Sequence, residues 1–256
     1  MSNPDILLVA RALANRYPAD LQPVQLADLP RIVFHVQLVL DRHGTRAAVC
    51  DLGGGIGLFT PVCARAGLRA VLVDDFLDGV NAHHDASALP IHRECGVGIV
   101  ATDALAPALD FPVESFDAVT AFETIEHWHG SPRVLLRKAV SWLKAGGHLI
   151  ISMPNCVDLK RRIMVPLGRG AWSSFEDWYA EPAFRGHVRE PDTDDLRRIA
   201  SDLGLTDVQI LGRNWSLYGA PAPLAWMTLA LDKLLRVRPS FCSTLYLIGR
   251  KPVPAA

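Results

Sequence analysis

Apolar residues change their spacing along this chain, and the change divides it. Over residues 3–17, Leu7, Leu8, Ala10, Leu13, Ala14 and Tyr17 recur at helical intervals. They predict a first helix, capped by Asn3 and with Pro4 in its first turn. Residues 29–43 predict a second helix, with Asp28 as its cap and Gly44 as its stop. From residue 47 the helical period gives way to short apolar runs at 47–52, 69–74, 97–102, 116–122 and 148–153. Helical segments lie between them, among them 131–144, which the Gly146-Gly147 pair is expected to terminate. Near-continuous apolar runs alternating with helices predict a mostly parallel sheet covered on both faces.

After Pro154 the pattern weakens. Residues 155–190 carry Trp172, Trp178, Tyr179 and several charges without a period, and read as an irregular, cap-like insertion. Residues 192–203 predict a helix, 207–212 and 244–250 two late strands, and 222–236 a helix between those strands. No repeat or linker interrupts the chain. The expected organisation is one domain over 1–256: N-terminal helices in 1–45, a core in 46–154, the insertion in 155–190 and the last part of the sheet in 191–253.

Chemistry enters at the end of the first apolar run. Asp51-Leu52-Gly53-Gly54-Gly55-Ile56-Gly57 follows a predicted strand and opens a helix. Glycines there let a ligand approach the backbone, and the first helical N–H groups face it. A dinucleotide fingerprint needs a third glycine at position 58 or 60, where the chain has Leu58 and Thr60. That register opposes a nicotinamide oxidoreductase. Asp74 closes the second run 21 residues after Gly53, the place of an acid that accepts ribose hydroxyls. Asp75 is its neighbour and substitute. Asp103 closes the third run. In an open α/β sheet all three acids, Asp51, Asp74 and Asp103, belong at the ligand-binding edge.

These motifs resemble those of class I S-adenosylmethionine (SAM)-dependent methyltransferases, especially the bacterial type that modifies small molecules, quinones and glycan or lipid precursors. CDLGGGIGLFT resembles their first motif, VLVDD the ribose-binding motif and ATDA the adenine-contacting segment. FPVESFDAVTAFETIEHW resembles their fourth-strand segment and LKAGGHLIISMPN the fifth. GHVREPDTDDLRRIASDLGL is similar to a later segment. The resemblance implies a Rossmann-like, doubly wound, seven-stranded sheet whose last strand is antiparallel. It implies SAM as cofactor, with Gly53, Gly55 and Gly57 at its methionine part. Asp74 would hold the ribose and Asp103 the adenine amino group, while Ala104, Phe122 and Glu123 would line the pocket. Residues 1–45 and most of 155–185 lie outside it.

Methyl transfer from a sulfonium needs alignment first, and a base when the acceptor is a hydroxyl. His127, after the fourth run, is the first candidate base, and local packing beside Trp128 is its structural alternative. His187, in the insertion, is the second candidate; its alternative is a surface loop residue. Glu123 and Glu126 can orient His127 or line the pocket. E-T-I-E-H-W-H also has the look of a metal-ligand set, but the family motif accounts for it and no metal is expected. His83, His84, Asp85 and His92 read as solvated helix residues. Lys160-Arg161-Arg162 reads as a solvated face or a contact for an anionic acceptor.

Composition narrows the partners. Lys+Arg is 26 and Asp+Glu 27, so the formal charge of -1 offers no footprint for nucleic acid. Five cysteines without C-x-x-C spacing oppose a zinc or disulfide framework. Asp5 and Arg11 break up the N-terminal apolar run, so no signal peptide and a cytoplasmic location are expected. The expected partner is a small-molecule acceptor methylated at oxygen. The competing class is a noncatalytic module that keeps fold and cofactor. The helix at 222–236 is expected to cover the sheet. Its broad apolar side admits a second reading, a peripheral membrane contact with Trp226 at the boundary and Arg236 and Arg238 toward headgroups.

Overall fold

Five buried residues in a row form strand β1 (Ala48–Leu52) in the computed structural model, which describes residues 2–77, 79–170, 173–180, 184, 186–219 and 222–254. The other strands are β2 (Arg69–Asp74), β3 (Gly98–Ala101), β4 (Phe116–Phe122), β5 (Leu143–Pro154), β6 (Thr206–Arg213) and β7 (Thr244–Arg250). They form one seven-stranded sheet in the order β3-β2-β1-β4-β5-β7-β6. β1 to β5 pair in parallel, and β7 runs antiparallel between β5 and β6. The seven strands and the antiparallel last one agree with the sequence expectation. The order reverses at β1, which puts a crevice at the carboxyl ends of β1 and β4, where such sheets bind ligands.

The helices are α1 (Asn3–Ala14), α2 (Gln22–Ala27), α3 (Leu29–His43), α4 (Phe59–Arg65), α5 (Gly79–Glu94), α6 (Arg133–Trp142), α7 (Leu159–Met164), α8 (Phe175–Tyr179), α9 (Thr193–Asp202) and α10 (Ala222–Leu235). Neighbouring strand residues point to opposite faces, so the apolar runs feed two cores. Val49, Leu72, Ala118 and Ile150 pack with Ile6 of α1, Val36 of α3, Val62 of α4 and Ile91 of α5. Cys50, Val73, Val119 and Ile151 pack with Leu136 and Trp142 of α6 and Leu196 of α9. Leaving both faces apolar is what makes the strands read as unbroken runs.

Several local expectations need correction. The cap of α1 is Ser2, whose backbone N–H and hydroxyl donate to Asp5 Oδ2 at 3.0 and 2.6 Å, one residue before Asn3. Asp28 makes no capping bond; its carboxylate takes the Arg31 guanidinium instead, 2.7 Å from Nε. The Gly146-Gly147 pair does not end a helix. α6 stops at Trp142, Leu143 is already extended, and the pair sits in a bulge of β5, where Phe116 faces Leu143 and Ala118 faces His148. Gly147 is confined there: a Cβ would lie 2.9 Å from the Asp117 carbonyl oxygen. The insertion is less irregular than its pattern, since α7, a 3-10 turn (Val165–Leu167) and α8 form within it. Trp172 lies outside the described residues. Among the described residues no helix is long and apolar enough to cross a membrane.

Candidate functional site

The glycine loop crosses the crevice and is fastened from four sides. Gly53 N donates to the Val73 carbonyl at 2.7 Å, and Gly55 N to Asp74 Oδ2 at 2.9 Å. Thr124 Oγ1 donates to the Gly53 carbonyl at 3.0 Å. Tyr17 reaches over from beyond α1 and donates its hydroxyl to the Ile56 carbonyl at 2.8 Å. His92 Nε2 of α5 lies 3.1 Å from the Gly57 carbonyl, and Nδ1 lies 3.2 Å from that of Ala88. His92 is fully buried, and burial lowers its pKa against the raising bonds to the two carbonyls. It is a buried brace of the loop, not the solvated residue expected. His84 pairs with Asp20 at 3.2 Å. The side chains of His83 and Asp85 lie outside the described set.

Two glycines of the loop are required by space. Gly53 has φ +69°, and a Cβ there would sit 2.1 Å from Thr124 Cγ2. A Cβ on Gly54 would sit 2.1 Å from Asp51 Oδ2. Asp51 is therefore beneath the loop. It is buried, takes the Thr120 hydroxyl at 2.6 Å, and does not reach the cavity wall. Burial pushes its pKa up to about 7, against the lowering bond from Thr120.

Above the loop opens a cavity of about 1190 Å³. Gly53, Gly55, Gly57, Asp74, Asp103, Ala104, Phe122, Glu123 and His127 all line it, as do Asp75, Arg31 and Trp128. Asp74 also accepts the Phe76 N–H at 2.7 Å, so two backbone donors hold its carboxylate at the cavity edge. Asp103 is held by Leu105 N at 2.8 Å. Glu123 follows β4 with φ +51°, a left-handed conformation costing a non-glycine residue about 1–3 kcal/mol. Ser152 Oγ donates to its carboxylate at 2.8 Å, and burial raises its pKa.

At one end of the cavity the 3-10 turn Ile125–His127 meets the insertion. The Val188 N–H donates to the Glu126 carbonyl at 2.7 Å. The His127 and His187 rings meet edge to face, with centroids 4.8 Å apart. His187 is not on the cavity wall; it stands behind His127. Its Nδ1 lies 2.5 Å from Glu190 Oε1, and Glu190 in turn pairs with Arg161 of α7. Burial, His127 and Arg161 lower the His187 pKa, and its Nδ1 faces the Glu190 carboxylate. Glu126 is buried, and neither carboxylate oxygen has a side-chain partner among the described residues. Burial, then the nearby Glu123 charge, push its pKa up to about 8. Glu126, His127 and His187 each bring a ligand atom within 4.8 Å of the others, a set with the donor chemistry of a divalent-metal site.

Comparison with known proteins decides what this geometry belongs to. Residues 29–210 match the family model described as a methyltransferase domain. The chain belongs to that family. Residues 29–210 are a methyltransferase domain of the SAM-dependent class. Over 144 residues the methyltransferase is 28% identical to the mitochondrial ubiquinone biosynthesis O-methyltransferase of Mus musculus, a match covering 50% of this chain and 36% of that protein. The match thus spans about a third of that curated relative. Among solved structures, a SAM-dependent methyltransferase from Thermotoga maritima superposes with a TM-score of 0.55 at 16% identity, covering 96% of this chain and 99% of the other. The phosphoethanolamine N-methyltransferase 2 of Haemonchus contortus, in complex with SAM, gives 0.55 at 20% identity, covering 86% and 52%. At such identities the structures show a shared fold.

The cavity of the methyltransferase fits SAM in three respects. The loop offers backbone without Cβ atoms, two acids stand at the ends of β2 and β3, and Phe122 gives an apolar floor. That floor is braced by residues outside the core motifs. The His35 ring stacks on Phe122 at 3.8 Å, and His35 Nε2 lies 2.7 Å from the Tyr246 hydroxyl, which accepts the Trp215 indole N–H at 2.9 Å. Arg31, one turn before His35 on α3, lines both this cavity and a second of about 570 Å³. The second cavity is walled by Pro23, Val24, Pro30, Trp215 and Tyr218. A polar pair at i and i+4 on the buried side of an apolar helix, Arg31 and His35, is the signal that could have marked this wall.

Proposed function

We propose that the protein moves the methyl group of SAM to an oxygen of a small-molecule or lipid- or glycan-precursor acceptor, with His127 as general base. The observation that carries this reading is the place of His127. It is on the wall of the cavity that the glycine loop, Asp74 and Asp103 share, backed by His187. The sequence match to an O-methyltransferase supports oxygen as the target atom.

Bound SAM supplies a methyl group already activated on a positive sulfur. The chain's part is alignment and proton removal. The loop, Asp74 and Asp103 hold the donor, and the space beside His127 and Trp128 receives the acceptor. His127 takes the acceptor's hydroxyl proton as the oxygen–carbon bond forms. The carbon–sulfur bond breaks with its electron pair going to sulfur, which leaves neutral S-adenosylhomocysteine. His187, fixed by Glu190, is a positioning residue for the His127 ring. Positioning and base catalysis contribute together, the base by about 10²–10⁴-fold.

A second reading rests on Glu126. A buried carboxylate without a side-chain partner is costly unless it is protonated or meets a cation. Glu126, His127 and His187 would hold a divalent ion, with Glu190 fixing His187 from behind. Such an ion would supply positive charge beside the acceptor oxygen. The two readings give His127 different roles, and a chelator separates them. Full turnover after chelation supports the base, and lost turnover restored by a divalent ion supports the ion. An acceptor screen with methyl-labelled SAM tests both against the noncatalytic alternative, since the latter yields no S-adenosylhomocysteine.

A further inference from the structure

Helix α10 is built inside out. Its buried side chain is an acid, Asp232, and its large apolar side chains face outward. Asp232 Oδ1 accepts from Asn214 Nδ2 at 3.0 Å. Its Oδ2 accepts from the Tyr218 hydroxyl at 3.0 Å and from Arg236 Nε at 2.8 Å. These charge-assisted bonds dock the helix on the 3-10 turn Trp215–Gly219. Outside, Trp226 is 70% and Leu234 68% exposed, and Leu224, Met227, Leu229 and Leu231 are exposed too. A helix packed on a core by its apolar stripe shows the reverse arrangement. α10 therefore does not cover the sheet as expected, and Arg236 turns inward rather than toward solvent.

A second segment shares this face. The Arg162 guanidinium of α7 lies over the Phe241 ring at 5.1 Å, and Arg238, just beyond α10, lies over the same ring at 4.9 Å. After Arg162 come the exposed Ile163, Val165 and Leu167. Charge is segregated here. Residues 159–170 hold Lys160, Arg161, Arg162 and Arg169 and no acid. Residues 222–242 hold Lys233, Arg236 and Arg238 against one acid, Asp232; Arg236 is paired with Asp232 and Arg161 with Glu190, which leaves Lys160, Arg162, Arg169, Lys233 and Arg238 for this face. The whole chain has a formal charge of -1, so this basic, apolar face is set against an acidic remainder.

We propose that the face formed by α10, α7 and the turn after α7 rests on an anionic phospholipid surface. α10 lies in the interfacial plane with Trp226 and Leu234 among the acyl chains, and Lys160, Arg169 and Arg238 meet the headgroups. A second copy of the chain is the poorer occupant, because a two-fold interface sets the same basic patch against itself. The second cavity adds a route inward. Tyr218 holds Asp232 on the inner side of α10 and also walls that cavity, which shares Arg31 and Gly57 with the cofactor cavity. An acceptor with an apolar tail can enter from the lipid side by this path, a point that rests on the methyltransferase reading of the site.

Flotation of the full chain with vesicles tests the proposal without any acceptor. Phosphatidylcholine vesicles are compared with vesicles that also contain phosphatidylglycerol, at low and high salt. The chain should float with the anionic vesicles at low salt and detach at high salt. Trp226→Ser with Leu234→Ser should abolish flotation. Lys160→Ala and Arg169→Ala should each weaken partition about fivefold. All four positions are exposed, so the variants should keep SAM binding, which separates a failed membrane face from a failed cofactor site. Recovery wholly in the soluble fraction with anionic vesicles at low salt would overturn the proposal. So would a stable dimer that Leu234→Ser dissociates and that does not bind vesicles.

Discussion

The Tyr17 hydroxyl donates to the Ile56 carbonyl at 2.8 Å, joining the end of the first helical segment to the loop at the centre of the cofactor site. The two residues are 39 apart in sequence, and Tyr17 is buried. Tyr17→Phe keeps the ring and removes the bond, which should cost about 0.5–1.5 kcal/mol of stability. It should weaken SAM binding by a similar factor through a looser loop. Denaturant unfolding and calorimetric titration of the variant would check both effects.

The glycine loop should tolerate no branched side chain. Gly55 has φ +55°, lines the cavity and donates its N–H to Asp74. Gly55→Val should abolish SAM binding by strain and by filling the space of backbone approach. A variant that still bound SAM at the parent's affinity would remove the loop from the cofactor site.

Asp74→Ala should weaken SAM binding by about 2–4 kcal/mol, for bonds to a charged acceptor. Asp103→Ala should cost less, since an adenine amino group offers one bond. Titration of both variants ranks them. Equal binding by Asp74→Ala and the parent would transfer the ribose role to Asp75, which also lines the cavity.

His127→Ala should lower turnover by about 10²–10⁴-fold while leaving SAM affinity within a few-fold of the parent. Steady-state kinetics beside titration makes the distinction. Unchanged turnover would return His127 to a packing role beside Trp128.

Stability should fall as pH rises above neutral. Folded Glu126 keeps its proton up to about 8, through burial and Glu123, whereas an unfolded glutamic acid releases it near about 4.3. Between those values the folded state binds the extra proton, so its stability contribution is full at the acid end and lost above the folded value. Asp51, at about 7, acts with the same sign. Below about 6.5 the buried His35 and His92, whose pKa burial lowers, act with the opposite sign, so thermal unfolding from about pH 7 to 9 should show Tm declining, and Glu126→Gln should flatten the decline. If Glu126 is an ion ligand, Mn²⁺ or Mg²⁺ should raise Tm at the alkaline end in the parent but not in Glu126→Gln. No response to either ion would remove the second reading.

Much of the fold was legible because local and global patterns agree. β2, β4, β7 and α3 run over the spans that periodicity marks, and the sheet has the strand number and antiparallel last strand that the motifs imply. Expectations diverged where a residue's role depends on distant partners. The Gly146-Gly147 pair reads as a helix stop, yet its bulge is set by pairing with β4. His92 sits in a polar-looking helix but faces the Gly57 carbonyl, a partner 35 residues away. Asp51 belongs to the glycine motif, yet space puts it under the loop. Arg31, His35 and Tyr17 act on the cavity from segments beyond the core motifs, so no motif marks them. The three acids and the glycines were readable because the ends of parallel strands are one edge in any such sheet.

The glycine register around Gly55 should select SAM. Calorimetric titration of the unmodified chain with SAM, S-adenosylhomocysteine and NAD tests it directly. Micromolar-range binding of the first two and no heat with NAD are expected. Tight NAD binding with no response to SAM would contradict it.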